Sequence, residues 1–386
     1  MNKIIYMDHA ATTALNKEVL DAMMPYLTDH YGNAGGIYSV GRDASEAVNL
    51  AREQVASLLN ASKDEIYFTS GGTESDNWAI RGVCDAKKDK GNHIITTAIE
   101  HHAVLETYKY MEKQGFQVTI VPVDSDGVVN PKDIENAITD KTILVTCMHA
   151  NNEIGTIEPI EEIGKICNAK KIHFHVDAVQ TTGHIPVDVA KIGCDSLALS
   201  GHKFYGPKGI GAMFLKKGSK CTRFMIGGGQ ENNKRAGTHN VAGIVGLGKA
   251  CELAKINMES EFAKTKALRD MLIKGIEANV PDCKLNGHRE NRLPNNVNFI
   301  FKGIEGESLI LLLDMAGVCS SSGSACTSGS LDPSHVLLAI GLIHEQAHGS
   351  LRLTLGAENT EEEVNYVIEK LPGIVSRLRE MSPLYN

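Results

Sequence analysis

The chain has 386 residues, a net charge of −8, 42% hydrophobic and 22% charged residues. These values describe an ordinary globular protein of roughly two domains and exclude both a disordered chain and a basic nucleic-acid binder. No apolar run approaches the roughly 18 residues of a membrane span, and the start, MNKIIYMDHAATT, is too short in apolar residues for a signal segment. Nine cysteines, odd in number and without a C-x-x-C pair, point to free thiols in a reducing compartment, so a cytoplasmic location is expected.

In chain order, Lys17 to Leu27 and Val40 to Leu59 carry helical spacing, with Ser39 placed to cap the second. Between them lies the Gly-rich loop Tyr31-Gly32-Asn33-Ala34-Gly35-Gly36. From residue 66 short apolar strands are expected at Ile66–Thr69, His93–Thr97, Val118–Val121, Ile143–Cys147, His173–Val176 and Ser196–Leu199. Helical segments or turns separate them, a pattern that predicts a mostly parallel sheet covered by helices. Val241 to Glu277 reads as a long helix whose charged middle, Asn257 to Lys266, crosses solvent towards a second unit. After Pro281 the order changes to strand Val297–Phe301, helix Glu307–Met315, a Ser/Gly loop at 320–330, then helix, strand and a final helix from Thr360 to Arg379.

Chemistry gathers at the strand ends. Leu197 to Gly211 runs from an apolar strand into Ser200-Gly201-His202-Lys203 and a bend rich in glycine. The carboxyl edge of an open α/β sheet is where ligands bind, and a lysine there can hold a carbonyl cofactor such as pyridoxal phosphate as a Schiff base. Thr69-Ser70-Gly71-Gly72-Thr73 ends a strand and opens a helix, which is either a capped turn or a phosphate cradle. It is not a P-loop, since no Gly-Lys-Ser/Thr follows at the required spacing. Asp177 closes another strand, where a carboxylate can keep a pyridine nitrogen protonated. His101 and His102 follow a third strand and can stack or move protons.

A whole set of motifs is now on the page: DHAATT (8–13), SGGTESDN (70–77), EHHAV (100–104), NNEIGTI (151–157), HVDAVQ (175–180), SGHKFYGPKG (200–209), GGGQE (227–231), RAGTHN (235–240) and SSGSACTSGS (321–330). In content and order this set resembles the NifS/IscS-type cysteine desulfurases, of the class V aminotransferase branch of fold-type I pyridoxal-phosphate enzymes. The resemblance spans essentially the whole chain.

The resemblance implies an α/β fold-type I transferase. Its large domain, residues 15–257, would carry a mostly parallel sheet of the seven-stranded type. A smaller α+β domain would comprise residues 1–14 and 258–386 and bear a mobile cysteine loop at about 320–331. It further implies a homodimer with pyridoxal 5'-phosphate as cofactor. Lys203 then resembles the Schiff-base lysine, Asp177 the partner of the pyridine nitrogen, Gln180 a donor to the ring hydroxyl and His102 the residue stacked on the ring. Gly72, Thr73, Ser200 and His202 match the phosphate site, and Thr238 resembles the threonine reaching in from the other subunit. Asn33, Asn152 and Arg352 match the positions that hold the substrate carboxylate, with Asn152 also beside the cofactor; a guanidinium suits that task as a planar bidentate fork.

Cys326 sits among small residues rather than on an apolar element, and the resemblance makes it the sulfur acceptor. Cys84, Cys147, Cys251 and Cys319 read as structural. The implied reaction turns L-cysteine into alanine and a persulfide on Cys326, for an iron–sulfur scaffold or another acceptor; Cys326 could also transiently ligate a nascent cluster. No resident metal, nucleic acid or membrane partner is implied. The loop around Asn33 departs from the family's usual Asn-Pro-Ser-Ser, and Tyr38 stands where a histidine is common.

Other readings are a selenocysteine lyase, another class V aminotransferase, a non-enzymatic docking scaffold, and a zinc peptidase. The last rests on His344-Glu345-Gln346-Ala347-His348, which satisfies H-E-x-x-H although Gly349 follows at once. A polar turn before the strand bearing Arg352 is the preferred reading of that segment, because it is short and the extended zinc motif fails at Leu351.

Overall fold

The computed structural model describes residues 4–322, 333–383 and 385. Its strands are β1 (Ile5–Tyr6), β2 (Ile66–Thr69), β3 (His93–Thr97), β4 (Gln117–Val121), β5 (Thr142–Thr146), β6 (His173–Asp177), β7 (Ser196–Ser200), β8 (Gly211–Leu215), β9 (Cys283–Leu285), β10 (Asn296–Phe301), β11 (Val318–Cys319) and β12 (Ser350–Thr354). Seven of them form one sheet in the order β2-β8-β7-β6-β5-β3-β4. All run parallel except β8, which pairs antiparallel with both β2 and β7. This is the α/β fold-type I arrangement, and the carboxyl ends of β2, β3, β6 and β7 share one edge.

Differences from expectation have local causes. β8 was not among the expected strands, because its five residues follow a run of glycines that reads as loop. The second helix starts at Ser39, so Ser39 is not its cap; Tyr38 holds that position without a side-chain bond. The last helix, Glu361–Met381, begins at Thr360 with a capping box, Thr360 Oγ1 accepting from Glu363 N.

Two apolar cores flank the long helix Val241–Asn279. The larger joins the sheet's face to helix Ser39–Leu59, with Leu59, Phe174, Leu199 and Leu247 fully buried in it. The other gathers Met7, Leu272, Phe299, Leu353 and Leu371 around the antiparallel trio β12-β10-β9. The long helix gives Ile244, Leu247 and Cys251 to the first core and Leu272, Ile273 and Ile276 to the second, while Lys255 and Ile256 between them are exposed. The N-terminal segment stitches the halves together: Ile5 pairs with Val318, and Thr354 N donates to Met7 O.

Candidate active site

At the shared carboxyl edge lies a cavity of about 340 Å³. Lys203, in a short turn that continues β7, lines it; so do Asp177 at the end of β6 and Gly72 and Thr73 at the start of helix Gly72–Lys87. His102, Asn152, Gln180, Ser200, His202 and Arg352 complete the part of the lining expected from the sequence. Asn33 and Thr238 lie outside this cavity, both exposed. Asn33 instead accepts a hydrogen bond from Gly35 N (2.9 Å). Cys326 lies outside the described residues.

The N-terminal DHAATT segment forms one wall. Lys203 Nζ donates to Ala10 O (2.6 Å) and Ala11 O (2.9 Å), and Gln180 Nε2 donates to Ala10 O (3.0 Å). Thr13 Oγ1 donates to His202 O and accepts from Tyr205 N, so the two segments are laced at the base of the lysine. The lysine's root is therefore fixed while its long stem remains the adjustable part.

The floor is acidic and buried. Burial raises the Asp177 carboxyl, against Val179 N–H and Lys203, to about 6. Asp76 is pushed well above the usual range by burial and by the charges of Asp177 and Glu100. Glu100 is raised to about 8 by burial even though Thr97 Oγ1 and Met148 N donate to it. His101, pushed down to about 4 by burial and by Lys203, caps helix His102–Lys113 through Nδ1.

The opposite wall carries Arg352, 1% exposed. Its Nη2 donates to Asp8 Oδ1 (2.8 Å) and its Nη1 to Asn152 O (3.1 Å), while Nε has no partner among the described residues. Next to it Glu153, raised to about 7 by burial, accepts a short hydrogen bond from Ser334. His335 follows, its ring 4.8 Å from that of His102 and its Nε2 2.9 Å from Glu100 O. Residues 321 and 334 are thus both tied to this wall, since Ser321 and Arg352 exchange backbone hydrogen bonds.

Asp8, Asp76, Glu100, Glu153 and His335 were not singled out from the sequence. Asp8 and Glu153 sit inside quoted motifs, but no spacing links either to Arg352. His344 and His348 are exposed on a five-residue helix, and no group of three metal-binding side chains exists among the described residues. Cys84, Cys147 and Cys251 are buried, with Cys84 raised to about 12 by burial.

These residues fit pyridoxal phosphate. The helix N-terminus at Gly72 lies beside Ser200 and Thr73, and the first N–H groups of a helix have no intrahelical partner. A Cβ on Gly72 would lie 2.5 Å from Val179 Cγ2, so only glycine keeps that approach open. A buried carboxyl at Asp177 that Val179 N–H and Lys203 compensate only in part suits a cationic ring nitrogen.

An aminotransferase class-V family model matches residues 5–367, and the chain belongs to that family. Cysteine desulfurase IscS of Clostridium botulinum (strain Hall) is 60% identical over all of this chain and 98% of its own length. Cysteine desulfurase IscS of Methanosarcina thermophila is 56% identical over 99% of this chain and 95% of its own. Among solved structures, a NifS-like protein superposes with a TM-score of 0.92 at 39% identity, covering 97% of this chain and all of its own. SspA in complex with cysteine gives 0.82 at 35% identity, covering 92% of this chain and all of its own.

Proposed function

We propose that this protein is a pyridoxal-phosphate-dependent cysteine desulfurase, which moves the sulfur of L-cysteine to Cys326 and releases alanine. The observation that carries the reading is one cavity that combines a lysine amine, a buried acid, a helix N-terminus and a buried arginine whose Nε has no partner among the described residues. The names of its relatives and the cysteine-bound structural neighbour support the substrate.

Lys203 would hold the cofactor, Asp177 its ring nitrogen, Gln180 its ring hydroxyl, His102 its ring face, and Gly72, Thr73, Ser200 and His202 its phosphate. When bound, the cofactor supplies an electron sink for the charge left at the substrate's Cα. Arg352, helped by Asn152, orients the substrate carboxylate, and Asp8 holds the guanidinium in place. Lys203 Nζ takes the Cα proton, with His102 placed to move a second one. The Cβ–S bond then breaks and a bond forms between that sulfur and Cys326 Sγ; the electron pair stays with carbon, which gains a proton.

A homodimer fits the exposed apolar side chains of Leu20, Met24, Leu27, Tyr31, Ile37 and Tyr38, and the placement of Thr238 outside its own chain's cavity. Asn33 belongs to the same exposed loop and would meet substrate only if that loop closes or a second subunit covers it. The acceptor would be an iron–sulfur scaffold or another persulfide-accepting protein, in the cytoplasm. No helix among the described residues is long and apolar enough to cross a membrane. The cores support a large domain of residues 15–257 and a small one of 1–14 with 258–386.

The test compares sulfide and alanine released from L-cysteine with a thiol reductant by the wild type and by Cys326→Ser. Equal yields of both products, lost in the variant while its cofactor absorbance persists, are expected. Unchanged release by the variant would mean a lyase that needs no persulfide, and no release by either would point to transamination.

A further inference from the structure

β6 carries His173, His175 and Asp177 at alternate positions, so the three side chains share one face of the strand. Helix Gly72–Lys87 packs on that part of the sheet and contributes Asp76. Asp76 Oδ1 lies 3.1 Å from His175 Nε2, and His175 Nδ1 lies 2.9 Å from Ser196 Oγ. The same hydroxyl is 2.8 Å from His173 Nε2. All four side chains are buried, and Asp76 reaches the cavity floor that Asp177 also lines. The proposed chemistry uses none of the four.

Donor counting leaves this chain two complete arrangements. Burial keeps both imidazoles neutral, driving His175 down to about 3, so each has one N–H; the serine has one O–H. With Asp76 ionised, His173 Nε2–H donates to Ser196, Ser196 donates to His175 Nδ1, and His175 Nε2–H donates to Asp76. With Asp76 protonated, every donor is reversed. All three hydrogen bonds are kept in either arrangement.

The groups facing the chain set which arrangement holds. Asp76 is opposed by the charges of Asp177 and Glu100, and Asp177 is faced by Lys203. His173 is faced by Lys87 and His175. Two like charges buried side by side are costly, so one acid keeps a proton.

We propose that Asp76, His175, Ser196 and His173 form a proton relay through which Asp76 takes up or releases a proton, so that Asp76 and Asp177 together present one negative charge to a cationic ring nitrogen. A proton enters at His173 Nδ1, three protons each move along one hydrogen bond, and Asp76 is left as the neutral acid. The reverse sequence returns it, and no electrons are transferred. The four are positioning residues acting through Asp177, and their role rests on the cofactor reading above.

The test uses holoenzyme with imidazole-¹⁵N histidine, in which long-range ¹H–¹⁵N spectra identify each tautomer. The signals are assigned by their loss in His173→Gln and His175→Gln. Across a pH series that carries Asp76 through its raised titration, both imidazoles are expected to exchange Nδ1–H for Nε2–H with a shared midpoint. In Ser196→Ala, His175 still switches and His173 does not; in Asp76→Asn neither switches. Alongside, the pH profile of the pyridoxal-phosphate dissociation constant loses one ionisation in Asp76→Asn. Fixed tautomers in the wild type, or joint switching that survives Ser196→Ala, would overturn the relay. Failure of the protein to bind pyridoxal phosphate at all would instead sink the cofactor reading, and the tautomers would still judge the relay.

Discussion

Two buried acids, Glu231 and Asp177, show opposite solutions to the same electrostatic problem. Burial works to raise Glu231, but Arg52, His239 and the Phe68 N–H overcome it and hold the carboxyl down to about 2. The Arg52 fork is bidentate, and Glu231 is left with no need of a ligand. Asp177 has one backbone N–H and the charge of Lys203, and burial wins. The first acid ties helix Ser39–Leu59 to the segment after β8. The second stores an unmet demand for positive charge at the cavity floor. A compensated acid stabilises the fold, whereas an uncompensated one is an opening for a ligand.

Substitutions should separate the two kinds of group. Lys203→Ala is expected to have the largest effect, lowering alanine release by about 10⁴-fold with loss of the lysine-bound cofactor absorbance. Glu231→Gln, which strands the Arg52 charge, should cost about 3 kcal/mol in a denaturant titration while cofactor absorbance is kept in the folded fraction. Asp177→Asn should do the reverse. Cofactor affinity falls about 10–100-fold, but the melting temperature stays within about 2 °C, because the native carboxyl is poorly compensated. A large loss of stability in Asp177→Asn would break the distinction. Arg352→Lys, which gives up the planar fork, should raise KM for cysteine about tenfold with a smaller change in kcat.

The pH dependences should also differ. Glu231 is depressed in the folded protein, so its contribution to stability is present above its ordinary value of 4.5 and is lost as pH falls towards about 2. Asp177 is raised, so its ionised form, and with it cofactor affinity, should be lost as pH falls through about 6. Chemical denaturation and cofactor titration over the same pH series would read both.

Local patterns determined much of this protein. Strand–helix alternation placed Lys203, Asp177 and Thr73 on strand ends of one sheet, because side-chain periodicity and glycine punctuation act within a few residues. Cys326 stood out for the same reason, by the company it keeps. What the tertiary structure alone decided are the pairings: Asp8 with Arg352, Asp76 with His175, Arg52 with Glu231, and Ser334 with Glu153. β8 belongs with them, since only its neighbours β2 and β7 make five residues after a glycine run into a strand. The physical reason is common to all. A buried charge or an unpaired strand must be satisfied by whatever group the fold brings within about 3 Å, and sequence separation places no limit on which group that is.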